Sequence, residues 1–124
     1  MDYHRILLVD DSEPWRIALR SLLHERPGLR VVGEAVDGLE AVEKAQELQP
    51  DLVLLDIGMP RMNGVEAAKR IREVAPQSKM LFVSIEQSAD FVEAALSTGA
   101  QGYIPKADVG SKLLPAIDDL RLKR

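Results

Sequence analysis

The 124-residue chain contains no cysteine, which excludes disulfides and thiolate metal sites. Histidine is nearly absent too. His4 and His24 stand far apart in sequence, a poor basis for a His-ligated metal. Positive charge is not in excess. The net charge is −4 and the pI about 5.2, so the chain advertises no surface for nucleic acid or anionic membrane. Long apolar runs are missing, and none approaches the ~20 residues needed to span a bilayer. The N-terminal MDYHRILLVDDSE meets two aspartates too early for a secretory signal. These absences leave a cytoplasmic protein without membrane contact as the expectation. The length sets a single domain over residues 1–124. A domain of this size buries roughly two-thirds of the surface its unfolded chain exposes.

What is present is an alternation of two kinds of segment. Short apolar runs occur as RILLVD (5–10), RVVGEA (30–35), DLVLLD (51–56), KMLFVS (79–84) and QGYIP (101–105). Three are nearly continuous in hydrophobicity, as parallel strands covered on both faces are. Between them lie helical stripes. Trp15, Ala18, Leu19, Leu22 and Leu23 form the first, and Ala41, Ala45 and Leu48 the second, ahead of Pro50. Val65, Ala68, Ile71 and Ala75 precede Pro76, and Val92, Ala95 and Leu96 precede Gly99. Leu113, Ala116, Ile117 and Leu120 form the fifth. Proline or glycine just past a helix is a stop signal. Five strand–helix units in a row, with right-handed crossovers, give an α/β three-layer sandwich. The expected fold is a flavodoxin-like, doubly wound, five-stranded parallel sheet of order 2-1-3-4-5 with five helices. Pro115 falls inside the fifth stripe, where it removes a helical N–H. That helix is expected to start near Gly110 or Ser111, or to kink.

The stretch DLVLLDIGMPRMNG ends an apolar run on Asp56. A buried charge costs several kcal/mol unless compensated. Open α/β sheets resolve this, because ligands sit beyond the carboxyl ends of their strands, near the point where strand order reverses. Asp10 and Asp11 stand after the first strand, Asp56 after the third, Ser84 at the end of the fourth and Lys106 after the fifth. Strands 1 and 3 flank the reversal point and carry all three aspartates. Oxygen ligands without His or Cys suit a hard ion such as Mg²⁺, or Mn²⁺. Mg²⁺ uses one or two carboxylates plus phosphate oxygens, which leaves one free to act. Asp56 is the candidate nucleophile, since carboxylates form acyl phosphates. Phosphoryl transfer needs alignment and neutralised oxygens, which Lys106, Ser84 and the metal would supply. The loop after Asp56 faces the same site, and the Gly58 backbone carbonyl is a candidate metal ligand.

These features resemble the response regulator receiver family of two-component signalling, over nearly the whole chain. The resemblance rests on LLVDDSE, LVLLDIGMPRMNG, MLFVSIE and STGAQGYIPK, in order and each at a strand end. It implies Asp56 as phosphoacceptor from a histidine kinase, and Asp10 and Asp11 as the acidic pair for Mg²⁺. It implies Ser84 and Lys106 as phosphoryl contacts and Tyr103 as an aromatic switch coupled to Ser84. It also implies a face of helix 4, strand 5 and helix 5 that changes on phosphorylation. The spacing of GAQGYIPK looks most like the NarL/FixJ-like branch, whose members carry a C-terminal helix-turn-helix. The expected protein is therefore no enzyme beyond its own phosphorylation and dephosphorylation. Its partners would be a kinase, a second copy on phosphorylation, and DNA only through an output domain outside this chain. The chain ends at Arg124 after the fifth helix, which fits a stand-alone receiver or, by preference, the receiver part of a longer regulator. The tail DDLRLKR reads as the start of a linker. Ala94, Ala107, Val109, Leu113 and Leu114 are the small and apolar residues suited to a contact near that face.

Two features depart from the family. Ala107 follows Lys106 where a proline is frequent, so a cis bond there is not implied. Ile85 follows Ser84 where a very small residue is frequent, and would slow access by donors or by hydrolytic water. Each residue also has a plainer reading. Asp10, Asp11, Ser12 and Asn63 suit helix caps. Trp15 suits core packing, close enough to the site to report metal binding. Pro60 and Gly64 shape the loop, Arg61 and Met62 read as loop surface, and Glu86 has a weak claim to modulating hydrolysis. Two other functions compete. A haloacid-dehalogenase-type phosphatase has a second aspartate two residues after the nucleophile, where this chain has Gly58. A flavodoxin-like cofactor binder lacks its phosphate loop here, and DDSE would repel a phosphate.

Overall fold

The computed structural model describes residues 3–122. The C-terminal Lys123 and Arg124, part of the expected linker, lie outside the described residues. Strands β1 (His4–Val9), β2 (Leu29–Ala35), β3 (Leu52–Leu55), β4 (Lys79–Ser84) and β5 (Gly102–Pro105) alternate with helices α1 (Glu13–Leu23), α2 (Gly38–Leu48), α3 (Gly64–Val74), α4 (Ala89–Leu96) and α5 (Val109–Leu120). The sheet is wholly parallel, in the order β2-β1-β3-β4-β5. This is the flavodoxin-like arrangement expected from the alternation.

Strand periodicity sorts the core into two layers. Leu7, Val9, Val53, Leu55, Met80 and Phe82 face one side, with alanines of α2 and α3, Ile71 and Ala95. Ile6, Leu8, Leu52, Leu54, Leu81 and Val83 face the other, with Leu19 and Leu23 of α1 and the apolar side of α5. Each fully buried Leu or Ile stabilises the fold by about 1.5–3 kcal/mol against exposure. The small side chains Ala41, Ala45, Ala67 and Ala68 let α2 and α3 sit close to the sheet.

The helix starts follow from capping. Ser12 accepts from the Trp15 N–H, Asp37 from Glu40, Asn63 from Glu66 and Ser88 from Phe91. Such a cap contributes about 1 kcal/mol. α2 ends where Gln49 turns left-handed, just before Pro50.

One expectation is met and two are corrected. α5 begins at Val109, one residue from the expected start near Gly110, and Pro115 lies inside it. A one-turn 3₁₀ helix, Lys106–Asp108, leads into it. Pro115 and Ser111, whose carbonyl loses its usual partner, are both exposed, so water can replace the missing bond. Val109, Leu113 and Leu114 are core residues, 8%, 0% and 7% exposed, and cannot form a contact surface. Their helix turns that flank onto the sheet. Ala18 and Leu96, placed on buried stripes, are exposed because each sits at the edge of its stripe. No cis peptide bond occurs among the described residues, so Lys106–Ala107 is trans.

Candidate functional site

The two central strands deliver the carboxylates. The Asp10 N–H donates to the Ala35 carbonyl and the Asp56 N–H to the Val9 carbonyl, each at 3.0 Å. Strand pairing thus runs one residue beyond the apolar run and fixes both Cα atoms at the rim. The two side chains are buried, Asp10 2% and Asp56 7% exposed. Asp11, the next residue, is exposed. Carboxylate oxygens of Asp10, Asp11 and Asp56 lie within 4.8 Å of one another.

Lys106 arrives from the end of β5 and bridges the buried pair. Its Nζ is 2.9 Å from Asp10 Oδ2 and 3.1 Å from Asp56 Oδ2. The other oxygens take backbone donors, Asp10 Oδ1 from Ser12 N–H at 2.9 Å and Asp56 Oδ1 from Ile57 N–H at 2.7 Å. Every buried side-chain N or O among the described residues has a partner. Burial works against the Lys106 charge, but hydrogen bonds to Asp10 and Asp56 outweigh it and hold its pKa above the ordinary lysine value. Burial, joined by the Asp56 charge, pushes the Asp10 carboxyl up against the pull of Lys106 and the Ser12 N–H.

The loop after Asp56 is anchored by close backbone packing. Gly64 N–H donates to the Ile57 carbonyl at 2.7 Å. A Cβ on Gly64 would stand 1.8 Å from the Asp56 carbonyl oxygen, so only glycine fits. Gly58 is exposed, with open space around its Cα. From the other side, Arg16 Nη1 donates to the Asp10 carbonyl at 2.8 Å.

Ser84 and Tyr103 form a second group. Ser84 is 1% exposed. Its hydroxyl accepts from the Glu86 N–H at 3.2 Å rather than bonding to Lys106 or the carboxylates. The half-buried Tyr103 donates its hydroxyl to the Glu86 carbonyl. Burial raises the Tyr103 pKa, opposed by Ser84, with the Glu86 and Asp56 charges adding to the rise. Ile85 between them is 74% exposed.

Two contacts escaped the sequence reading. Arg61 stands at φ 66° and looks like loop surface, yet its Nε donates to buried Asp37 Oδ2 at 3.0 Å. This ties the cap of α2 to the loop after Asp56. The available signal was Asp37 itself, which opens the helix-start pattern DGLE (37–40) and as a cap needs only one of its two oxygens. Trp15, read mainly as packing, lies with its ring centroid 4.7 Å from Lys106 Nζ.

A five-stranded 2-1-3-4-5 sheet with an acidic triad and a lysine at its reversal point defines a class that comparison with known proteins names. The description "Response regulator receiver domain" matches residues 6–118, and the chain belongs to that family. Among curated proteins, the chain is 39% identical over 114 residues to the chemotaxis protein CheY of Thermotoga maritima, covering 92% of this chain and 94% of that protein. It is 46% identical over 103 residues to the protein-glutamate methylesterase/protein-glutamine glutaminase of the same organism, covering 82% of this chain and 30% of the methylesterase. The signal receiver domain of the response regulator NarL from Mycobacterium tuberculosis superposes with a TM-score of 0.89 at 30% identity, covering 97% of each chain. The chain thus spans about 30% of a matched methylesterase but nearly all of CheY. The NarL relationship expected from GAQGYIPK is present, alongside relatives with other outputs.

Proposed function

We propose that this domain is a phosphoacceptor switch in which Asp56 takes a phosphoryl group from the phosphohistidine of a sensor histidine kinase. The observation that carries this reading is the bridge of Lys106 between Asp10 and Asp56 at 2.9 and 3.1 Å, with Asp11 beside it. A carboxylate oxygen of Asp56 attacks phosphorus, an O–P bond forms, the P–N bond to the kinase imidazole breaks, and the imidazole leaves with its ring nitrogen free to take a proton. The backbone bond from Ile57 holds one Asp56 oxygen and fixes the plane of the carboxylate. Lys106 is already against the other and follows the charge onto the phosphoryl oxygens.

The donor set fits a hard divalent cation: three carboxylates, two of them buried, with no His or Cys in the cluster among the described residues. Asp10, Asp11, Asp56 and the Gly58 carbonyl would hold Mg²⁺ or Mn²⁺. When bound, the ion supplies charge neutralisation of the carboxylates and of the incoming phosphoryl oxygens.

The added group carries close to two negative charges. Ser84 would turn from the Glu86 N–H toward it, and Tyr103 would follow into the space released. The face made by α4, β5 and α5 would change, and that face would be read by a partner or a second copy. The domain itself acts only on its own phosphorylation and dephosphorylation. It works in the cytoplasm as a stand-alone receiver or as the receiver part of a longer regulator, with any DNA contact made by an output domain. No helix among the described residues is long and apolar enough to cross a membrane.

The test is incubation with Mg²⁺ and acetyl phosphate, followed by intact mass. One phosphoryl adduct, more stable in acid than in base and absent in Asp56→Asn, is the expected result. An adduct that survives in Asp56→Asn, or none with any small donor, would remove the proposal.

A further inference from the structure

Trp15 reaches the site from α1, a helix that contributes no carboxylate to the cluster. Ser12 fixes its position by accepting the Trp15 N–H at 3.4 Å. The ring lies against Lys106, with Nζ 4.7 Å from its centroid. That side chain is only 6% exposed and already bonds Asp10 and Asp56. An ammonium near an indole face is attracted by the ring quadrupole, and more strongly where water is excluded.

The three contacts of Lys106 respond differently to the chemistry of the site. A divalent cation in the cluster competes with Lys106 for the oxygens of Asp10 and Asp56. Phosphorylation of Asp56 turns its carboxylate into a mixed anhydride and moves the negative charge outward onto the phosphoryl oxygens, so the contact Lys106 makes at the carboxyl oxygen is lost and has to be remade. Both events weaken the grip of the carboxylates. The indole does not ionise near neutral pH and has no oxygen to offer a hard cation, so its attraction survives both. The backbone gives modest help, since Lys106 opens a single 3₁₀ turn whose next residue, Ala107, is exposed. We propose that Trp15 is a positioning residue for Lys106, whose indole face keeps the ammonium at Asp56 while the carboxylates change charge. This rests on the phosphoacceptor reading of Asp56.

A leucine at position 15 would keep the apolar contact with the α1–α5 layer but offer no quadrupole. A phenylalanine would keep both, in weaker form. Proton NMR of the wild type gives a direct reading. The Lys106 Hε resonances should be shifted upfield by the Trp15 ring in metal-free protein, and the shift should persist when Mg²⁺ is added. Phosphorylation by acetyl phosphate should slow about tenfold in Trp15→Leu and stay within about threefold of wild type in Trp15→Phe. Thermal midpoints of the two variants, measured alongside, should be close to each other. Equal slowing in both variants, or rates that merely follow their midpoints, would show packing alone and overturn the proposal. So would the absence of a ring-current shift on Lys106, or its loss on adding Mg²⁺. If the wild type accepts no phosphoryl group, the phosphoacceptor reading fails on its own. The NMR shift still decides the hold of Trp15 on Lys106, a retained shift supporting it and a lost one removing it.

Discussion

The carboxyl rim of the sheet has two sides that are held very differently. Around β1 and β3 each loop is pinned by backbone bonds and close packing. Gly38 N–H donates to the Met62 carbonyl at 3.0 Å, Gly64 N–H to Ile57 at 2.7 Å, and Asp37 joins the α2 cap to Arg61. Around β4 and α4 the grip is light. Of the residues of α4, only Ala95 is buried, while α3 buries Gly64, Ala67, Ala68 and Ile71. Ile85, Phe91 and Leu96 are 74%, 47% and 43% exposed. Ser84 and Tyr103 both rest on the backbone of Glu86, a strap at the start of the loosely held side. Under the proposed function, the carboxylate side would be the pre-organised one and the α4 side the one left free to respond. Regions that move are drawn from the least stable parts of a fold.

Substitutions test that contrast, starting with the largest effect. Gly64→Ala places a Cβ against the Asp56 carbonyl and should cost roughly 3–5 kcal/mol in urea unfolding. A cost under about 1 kcal/mol would show that the acceptor loop yields. Asp37→Ala removes a buried cap and the partner of Arg61, and should cost about 1–2 kcal/mol at pH 7. Its pH dependence has a definite sign. The bond from the Glu40 N–H, then Arg61, holds the Asp37 pKa below the ordinary carboxylate value. The unfolded state therefore binds the proton more readily, and the stabilisation is fully present above the unfolded pKa of about 3.9. It fades as pH falls through the folded value. The gap between wild type and Asp37→Ala should close in that acid range, and a gap independent of pH would contradict the assignment.

On the loose side the stability effects should be small. Phe91→Ala should change stability by no more than about 0.5 kcal/mol, as for a surface position, against about 3–5 kcal/mol for buried Phe82→Ala. Ile85→Ala should be equally mild in stability yet raise the rate of phosphorylation or of dephosphorylation, measured by intact mass over time. Unchanged rates would remove Ile85 as an obstacle to access.

Sequence showed most of the fold, because buried parallel strands leave continuous Val, Ile and Leu runs that little else produces. The convergence of Asp10, Asp11, Asp56 and Lys106 followed from topology, since each stands at the carboxyl end of a strand next to the reversal point. Rotational phase was less legible. Val109, Leu113 and Leu114 share one side of α5, and spacing alone does not say whether that side meets the sheet or a partner. Contacts between loops were not legible at all. Nothing periodic links Asp37 to Arg61 or Trp15 to Lys106. The hydroxyl of Ser84 sits on the Glu86 N–H rather than on Lys106, a contact with the following loop that its place at a strand end does not reveal.

The most direct measurement is chemical mapping of the phosphorylated residue. Protein treated with Mg²⁺ and acetyl phosphate is reduced with borohydride, which turns an aspartyl phosphate into homoserine, and then sequenced by tandem mass spectrometry. Homoserine at position 56, and at neither 10 nor 11, is the predicted result. Homoserine at Asp10 or Asp11, or an unreduced phosphate on Ser84 or Tyr103, would contradict the account.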